Sequence, residues 1–193
     1  MLSCKFGNQI GRDLGNISKR LVINARQIGN NIQSIFWREI HFMVLCAQMV
    51  GATRKDADMA IEYAKNRVAF GRPIGSFQSI QHLCADMTIW VDGAQMLTYE
   101  ALWKIDQGMP ASVEVSQAKA FCNDKCEAVV RSSQSIHGGI GFMMEFDLHL
   151  WFRRVTSWTL RLGTSFEHRA NVARALLDTP GQVRLGLPLI TAS

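Results

Sequence analysis

The sequence predicts an all-α fold, an antiparallel bundle of four main helices and a short one, and three observations predict it. Apolar residues recur at three- and four-residue steps over long stretches, the spacing of one buried helix face. The longest such stripe, from Phe77 to Ile105, makes a helix of about 45 Å, a length that suits a bundle rather than the crossover of an α/β sheet. No run alternates with period two for long enough to form a sheet strand.

Taken in order, residues 1–36 are rich in Gly and Asn and carry little usable periodicity, so they read as a basic, loosely ordered leader. The bundle spans residues 37–180. Its first stretch runs to about Ala69, with Ile40, Met43, Val44, Ala47, Val50, Gly51, Ala57, Ile61, Ala64 and Val68 on one face. A gap across Thr53 to Asp56 suggests a short turn between two helices. Phe70-Gly71-Arg72-Pro73 stops the pattern, since proline disfavours helical geometry in the residue before it. The stripe from Phe77 follows and ends at Gly108 and Pro110. A third helix runs from Ser112 to about Ile136, with Val115, Ala118, Phe121, Cys122, Val129 and Val130 inward. Two further helices cover 147–158 and 165–177, closed by Thr179-Pro180-Gly181. Residues 181–193 read as an irregular tail.

A chain of 193 residues is long enough to bury one core. Its formal charge of +5 invites a nucleic-acid reading, but residues 1–40 hold 6 Lys+Arg against 2 Asp+Glu, leaving 15 against 14 elsewhere. A nearly neutral body without a basic stripe argues against nucleic acid. The longest apolar run, 42–52 across Gln48, is too short for a membrane span. The leader lacks the apolar core of a secretory signal and resembles a transit peptide only weakly. Five cysteines without a C-x-x-C pair point to reduced thiols in a cytoplasmic setting, or the mitochondrial matrix in a eukaryote. Cys122 and Cys126 share a helix face and read as core thiols rather than half a metal site; no metal is expected.

The stretch from Ser135 to Arg154, SIHGGIGFMMEFDLHLWFRR, breaks a periodic segment with Gly138, Gly139 and Gly141, which lets backbone approach another chain or a ligand closely. Beyond the break, Glu145 and Asp147 precede Arg153 and Arg154, the charge order that a helix dipole favours. Several chemistries are excluded. An esterase oxyanion loop needs a G-x-S-x-G elbow, and none exists. G-G-I-G does not fit the dinucleotide fingerprint, and no strand precedes it. A di-iron bundle needs E-x-x-H pairs, and the histidines are scattered instead. In RVAFGRPIGSFQ, from Arg67 to Gln78, an arginine three residues before an aromatic offers donors to a phosphate while the ring stacks on a base. A solvated helix-end arginine and a core phenylalanine explain the same spacing equally well.

RVAFGRPIGSFQSIQHLCADM and SIHGGIGFMMEFDLHLWFRR resemble the C-terminal helical domain of the acyl-CoA dehydrogenase family over about residues 40–178. The resemblance implies a flavoprotein that oxidises the α,β bond of an acyl-CoA thioester, as a homodimer or tetramer, or a hetero-oligomer with a full-length family member. It implies FAD as cofactor, reached across a subunit interface. Carried over by position, Arg67 and Phe70 contact the pyrophosphate and adenine part of FAD, Gln78 assists, and Gly138 and Gly139 let backbone approach the same dinucleotide. Ser135 stands where the family commonly has glutamine.

The chain also departs from the pattern. The family's catalytic glutamate usually precedes a Gly-Thr pair, and here Leu162 precedes Gly163-Thr164, so the catalytic base is unknown. An alternative base position falls near His41, which is no carboxylate. Glu39, Glu167 and His168 are close in sequence but nothing in the spacing assigns them that role. The resemblance covers none of the family's N-terminal helical domain or middle β-domain. The chain is therefore expected to act as a C-terminal fragment of the enzyme, or as a catalytically silent partner that completes a FAD site or dimer face.

Overall fold

The computed structural model describes residues 30–178, with side-chain environments from residue 36 onward. Five helices make up most of it: α1 (Asn30–Asn66), α2 (Gln78–Asp106), α3 (Ser112–His137), α4 (Leu148–Thr159) and α5 (Ser165–Asp178). A two-residue-per-strand hairpin, β1 (Val68–Ala69) with β2 (Arg72–Pro73), joins α1 to α2 through a 3-10 turn at Ile74–Ser76. A second 3-10 turn, Gly138–Phe142, follows α3. Most of the expected leader, the expected tail and the Thr179-Pro180-Gly181 stop lie outside the described residues; the last part of that leader, from Asn30, belongs to α1. No helix among the described residues is long and apolar enough to cross a membrane.

The expected break near Thr53 to Asp56 is absent, because α1 runs unbroken through it. The Thr53 hydroxyl donates to the Met49 carbonyl one turn back, which satisfies it without leaving the helix. Thr53 and Asp56 are fully buried, so the gap in apolar spacing marks polar residues facing the interior. Val44, Gly51 and Val68 lie on the exposed side instead, and the inward face is carried by Met43, Cys46, Met49, Val50, Ala57, Ala60 and Ala64.

The first three helices run antiparallel in succession, as contacts along their lengths show. Arg54 of α1 meets Asp92 and Gln95 of α2 at 2.5 and 2.8 Å, while Lys104 near the end of α2 pairs with Glu114 near the start of α3. The α1 and α3 helices are consequently parallel neighbours: Ser112 bonds Glu39, Ser133 lies against Asp56, and His137 stacks on Tyr63. The core falls into two clusters. The larger gathers Met43, Cys46, Met49, Ala94, Cys122, Cys126 and Val155, with Phe121, Trp151 and Trp158 against it. The smaller gathers Ala57, Ala60, Ala64, Met87, Val91, Val129 and Ile136 beneath the hairpin. Alanines on α1 let α3 approach closely there, and each fully buried Met or Val contributes about 1.5–3 kcal/mol. Cys122 and Cys126 are core thiols.

Candidate functional site

The hairpin end is built from the last turn of α1. The Arg67 N–H donates to Tyr63 O at 2.8 Å, extending the helical ladder, and Ile74 N–H returns to Arg67 O at 2.8 Å to close the hairpin. At the tip, Phe70 and Gly71 take φ of 54° and 78°, the paired left-handed conformations of a tight hairpin turn. A phenylalanine in that region costs about 1 kcal/mol, and the residue is 95% exposed, so the fold displays Phe70 at the expense of burying it. Phe77 touches the Phe70 ring edge-on at 6.2 Å and carries the Arg72 guanidinium 4.1 Å from its centroid. The arginine tied to an aromatic ring is therefore Arg72, and the Arg67 side chain is exposed without a hydrogen bond or ion pair among the described residues. Gln78 opens α2, also exposed, and no side chain caps that helix end, which leaves N–H groups available to an anion.

The three glycines of the corner do three different things. Gly138 takes φ 62° and ψ −138°, a region open essentially to glycine alone, and so turns the chain out of α3. Gly139 faces open space, with no atom within 4 Å of where a Cβ would sit, and the same holds at Gly138. Gly141 is buried, and a Cβ there would meet His137 Cβ at 3.1 Å, Gln134 O at 3.2 Å and Leu148 Cδ2 at 3.3 Å, so it lets α4 close on α3. The Ser135 hydroxyl turns back onto its own helix, donating to Arg131 O at 3.0 Å.

What ties hairpin to corner is a contact that motif spacing did not reveal. The His137 ring stacks on Tyr63 with centroids 4.4 Å apart and planes 26° apart, and Phe146 lies 5.2 Å away on it. His137 donates from Nδ1 to Ser133 O at 2.8 Å, and burial lowers its pKa, keeping the ring neutral near neutrality. Tyr63 sits one turn before Arg67, and His137 adjoins Gly138. Arg67, Phe70, Gln78, Gly138 and Gly139 therefore emerge at one end of the bundle.

The turn between α4 and α5 contrasts with it. Leu162 takes φ 61° and is half exposed, while its carbonyl accepts a hydrogen bond from His168 Nε2 at 2.9 Å. Asn123 Nδ2 donates to Gly163 O at 3.2 Å and its Oδ1 accepts from Lys119 Nζ at 2.5 Å; Lys119 also reaches Trp158 O at 3.3 Å. Burial lowers the pKa of Lys119, although the surrounding thiols of Cys46, Cys122 and Cys126 work in the opposite direction. Thr164 and Glu167 form a reciprocal capping box, with Thr164 N–H to Glu167 Oε2 at 2.8 Å and Glu167 N–H to Thr164 Oγ1 at 3.3 Å. Glu39 accepts from Ser112, and exposed His41 donates to Trp37 O at 2.6 Å. Each group weighed as a base thus has a local structural partner, and Leu162 has no proton to accept or give.

The profile of the family described as Acyl-CoA dehydrogenase, C-terminal domain, matches residues 43–177. The chain belongs to the acyl-CoA dehydrogenase family. It is 33% identical over 121 residues to the acyl-CoA dehydrogenase IpdE2 of Mycolicibacterium smegmatis, covering 63% of this chain and 37% of that one. Butyryl-CoA dehydrogenase from Megasphaera elsdenii superposes with a TM-score of 0.70 at 30% identity, over 72% of this chain and 37% of the other. The ChsE4-ChsE5 complex from Mycobacterium tuberculosis gives 0.75 at 26% identity, over 79% and 42%. The chain thus spans little more than a third of the length of the relatives it matches.

For an acyl-CoA dehydrogenase C-terminal domain, the hairpin end offers a free guanidinium, an exposed ring, an uncapped helix start and a backbone elbow with space around it. Those features suit the phosphates and base of a dinucleotide such as FAD.

Proposed function

We propose that this chain supplies the helical wall of a FAD site in an acyl-CoA dehydrogenase-type oxidoreductase acting on the CH–CH group of an acyl-CoA thioester. Its partners are other copies of itself or a full-length family member carrying the flavin-binding β-domain. The observation that carries the reading is the Tyr63–His137 stack, which holds the arginine hairpin and the open glycine corner at the same end. In this reading Arg67 and the N–H groups at the start of α2 hold phosphate, Phe70 lies against the adenine, Gln78 assists, and Gly138 and Gly139 admit the dinucleotide to the backbone. When bound, FAD supplies the acceptor for the hydride leaving the thioester's Cβ. None of this chain's residues near Leu162 takes the α-proton.

A second reading, a catalytically silent partner subunit, is favoured by Leu162 at the glutamate position in a turn whose neighbouring polar groups are engaged locally. Dye-linked oxidation of a panel of acyl-CoAs separates the two: turnover by the purified chain with FAD and no partner excludes the silent reading. Within an assembled complex, Arg67→Ala lowers flavin retention by about tenfold, the loss of one charge-assisted contact; unchanged flavin content removes Arg67 from the site. Leu162→Glu in a complex supplying the other domains yields measurable turnover if this chain's turn faces the thioester. No gain in such a complex places the base elsewhere.

A further inference from the structure

Asp56 is a buried ionisable group remote from the residues proposed to hold cofactor. It is fully buried in the middle of α1, and neither carboxyl oxygen has a hydrogen-bond partner among the described residues. An ionised carboxyl in that state loses its hydration without compensation. The neighbouring elements offer little charge to offset it. From α3, the Ser133 hydroxyl lies against Asp56, donating to its backbone carbonyl at 3.5 Å. From α2, Met87 and Val91 pack on the adjoining Ala57 and Ala60. Along α1, the Arg54 guanidinium is turned to Asp92 and Gln95. On α3, Cys126 and His137 are buried like Ser133, and burial lowers the His137 pKa, while Glu127 and the exposed Arg131 pair with each other. Lys55 and Asp58 flank Asp56 on the exposed side of α1.

The site lies on the α1–α3 seam, and that seam leads to the hairpin. The Ser133 carbonyl accepts His137 Nδ1, His137 stacks on Tyr63, and the Tyr63 carbonyl accepts the Arg67 N–H. We infer that Asp56 makes the packing of α1 on α3 depend on whether its carboxyl holds a proton, and that this dependence reaches the hairpin end through Ser133, His137 and Tyr63. The inference stands independently of any cofactor.

Burial pushes the Asp56 carboxyl up from its ordinary value to about 7, with the Ser133 hydroxyl pulling partly back. Below about pH 4 both folded and unfolded chains hold the proton. Between about pH 4 and about pH 7 the unfolded chain releases it and the folded chain does not, so stability falls as pH rises, by about tenfold in the unfolding constant per pH unit. Above about pH 7 both are ionised and the loss is complete.

The full chain and its Asp56→Asn variant are unfolded in urea across this range. The ratio of their unfolding constants rises about a hundredfold between about pH 5 and about pH 7; a constant ratio overturns the inference. Titration of the wild-type Asp56 carboxyl by carbon NMR needs no variant, and a midpoint near about 4 overturns it directly. Hydrogen exchange, corrected for intrinsic rates, tests the reach. Protection over residues 60–77 falls between about pH 4 and about pH 7 in the wild type and not in Asp56→Asn, and pH-independent protection in both removes the link to the hairpin.

Discussion

The hairpin end and the α4–α5 turn are both loops at the ends of helices, and they treat polar groups in opposite ways. At the hairpin end, Arg67 projects from just past the end of α1 and Gln78 from the uncapped start of α2, Phe70 is held out of the core in a strained conformation, and Gly138 and Gly139 face space. At the α4–α5 turn, the Leu162 and Gly163 carbonyls are taken by His168 and Asn123, Thr164 and Glu167 cap one another, and Asp124 accepts from both Ser165 and Arg169. A loop that satisfies itself is built to hold its own shape. One that leaves donors and a ring exposed can satisfy them on something else. Leucine at the glutamate position fits this division, since the turn it occupies is stabilised by its own partners.

The comparison breaks most readily at Asn123. Its side chain joins Lys119 to the Gly163 carbonyl inside the protein, so Asn123→Leu leaves a buried ammonium short of an acceptor and a turn short of a donor. The expected loss is about 3 kcal/mol, read by urea unfolding. A loss below about 0.5 kcal/mol would mean the turn holds itself without this clamp. Gly141→Ala comes next. Its Cβ would press on His137 Cβ and Leu148 Cδ2 at 3.1 and 3.3 Å, and backbone at Gln134 cannot give way, so about 2 kcal/mol is expected from overpacking.

Periodicity made the helices legible: the α2 stripe from Phe77 to Ile105 and the stop at Gly108 follow the pattern because apolar spacing and a glycine cap act locally. It misread α1 at Thr53 and Asp56, because a polar residue in an apolar stripe signals a turn only if it is solvated, and both are buried. The motif residues of the hairpin and corner were visible in sequence, but the Tyr63–His137 stack was not, since it joins positions far apart in the chain. Each partner does lie within one helical turn of a motif glycine or arginine, which is the signal available. The structural role of Gly141 was hidden for a similar reason: in the sequence it is one of three glycines, and the tight contacts that distinguish it come from α4.

The sharpest test of the division is the mutation expected to change stability least. Gly139→Ala adds a methyl group where nothing lies within 4 Å, and Gly139, unlike Gly138, is not in the left-handed region, so alanine fits its backbone. Stability is expected to stay within about 0.5 kcal/mol. If the space beside Gly139 is where a dinucleotide meets the backbone, the same methyl group occupies part of it, and flavin retention in an assembled complex falls by about tenfold while the melting curve of the isolated chain does not move. Gly141→Ala should do the reverse in the isolated chain, lowering the melting curve through contacts that no ligand makes. Equal behaviour of the two alanine variants would mean that the corner is a packing device throughout, and that its open face receives nothing.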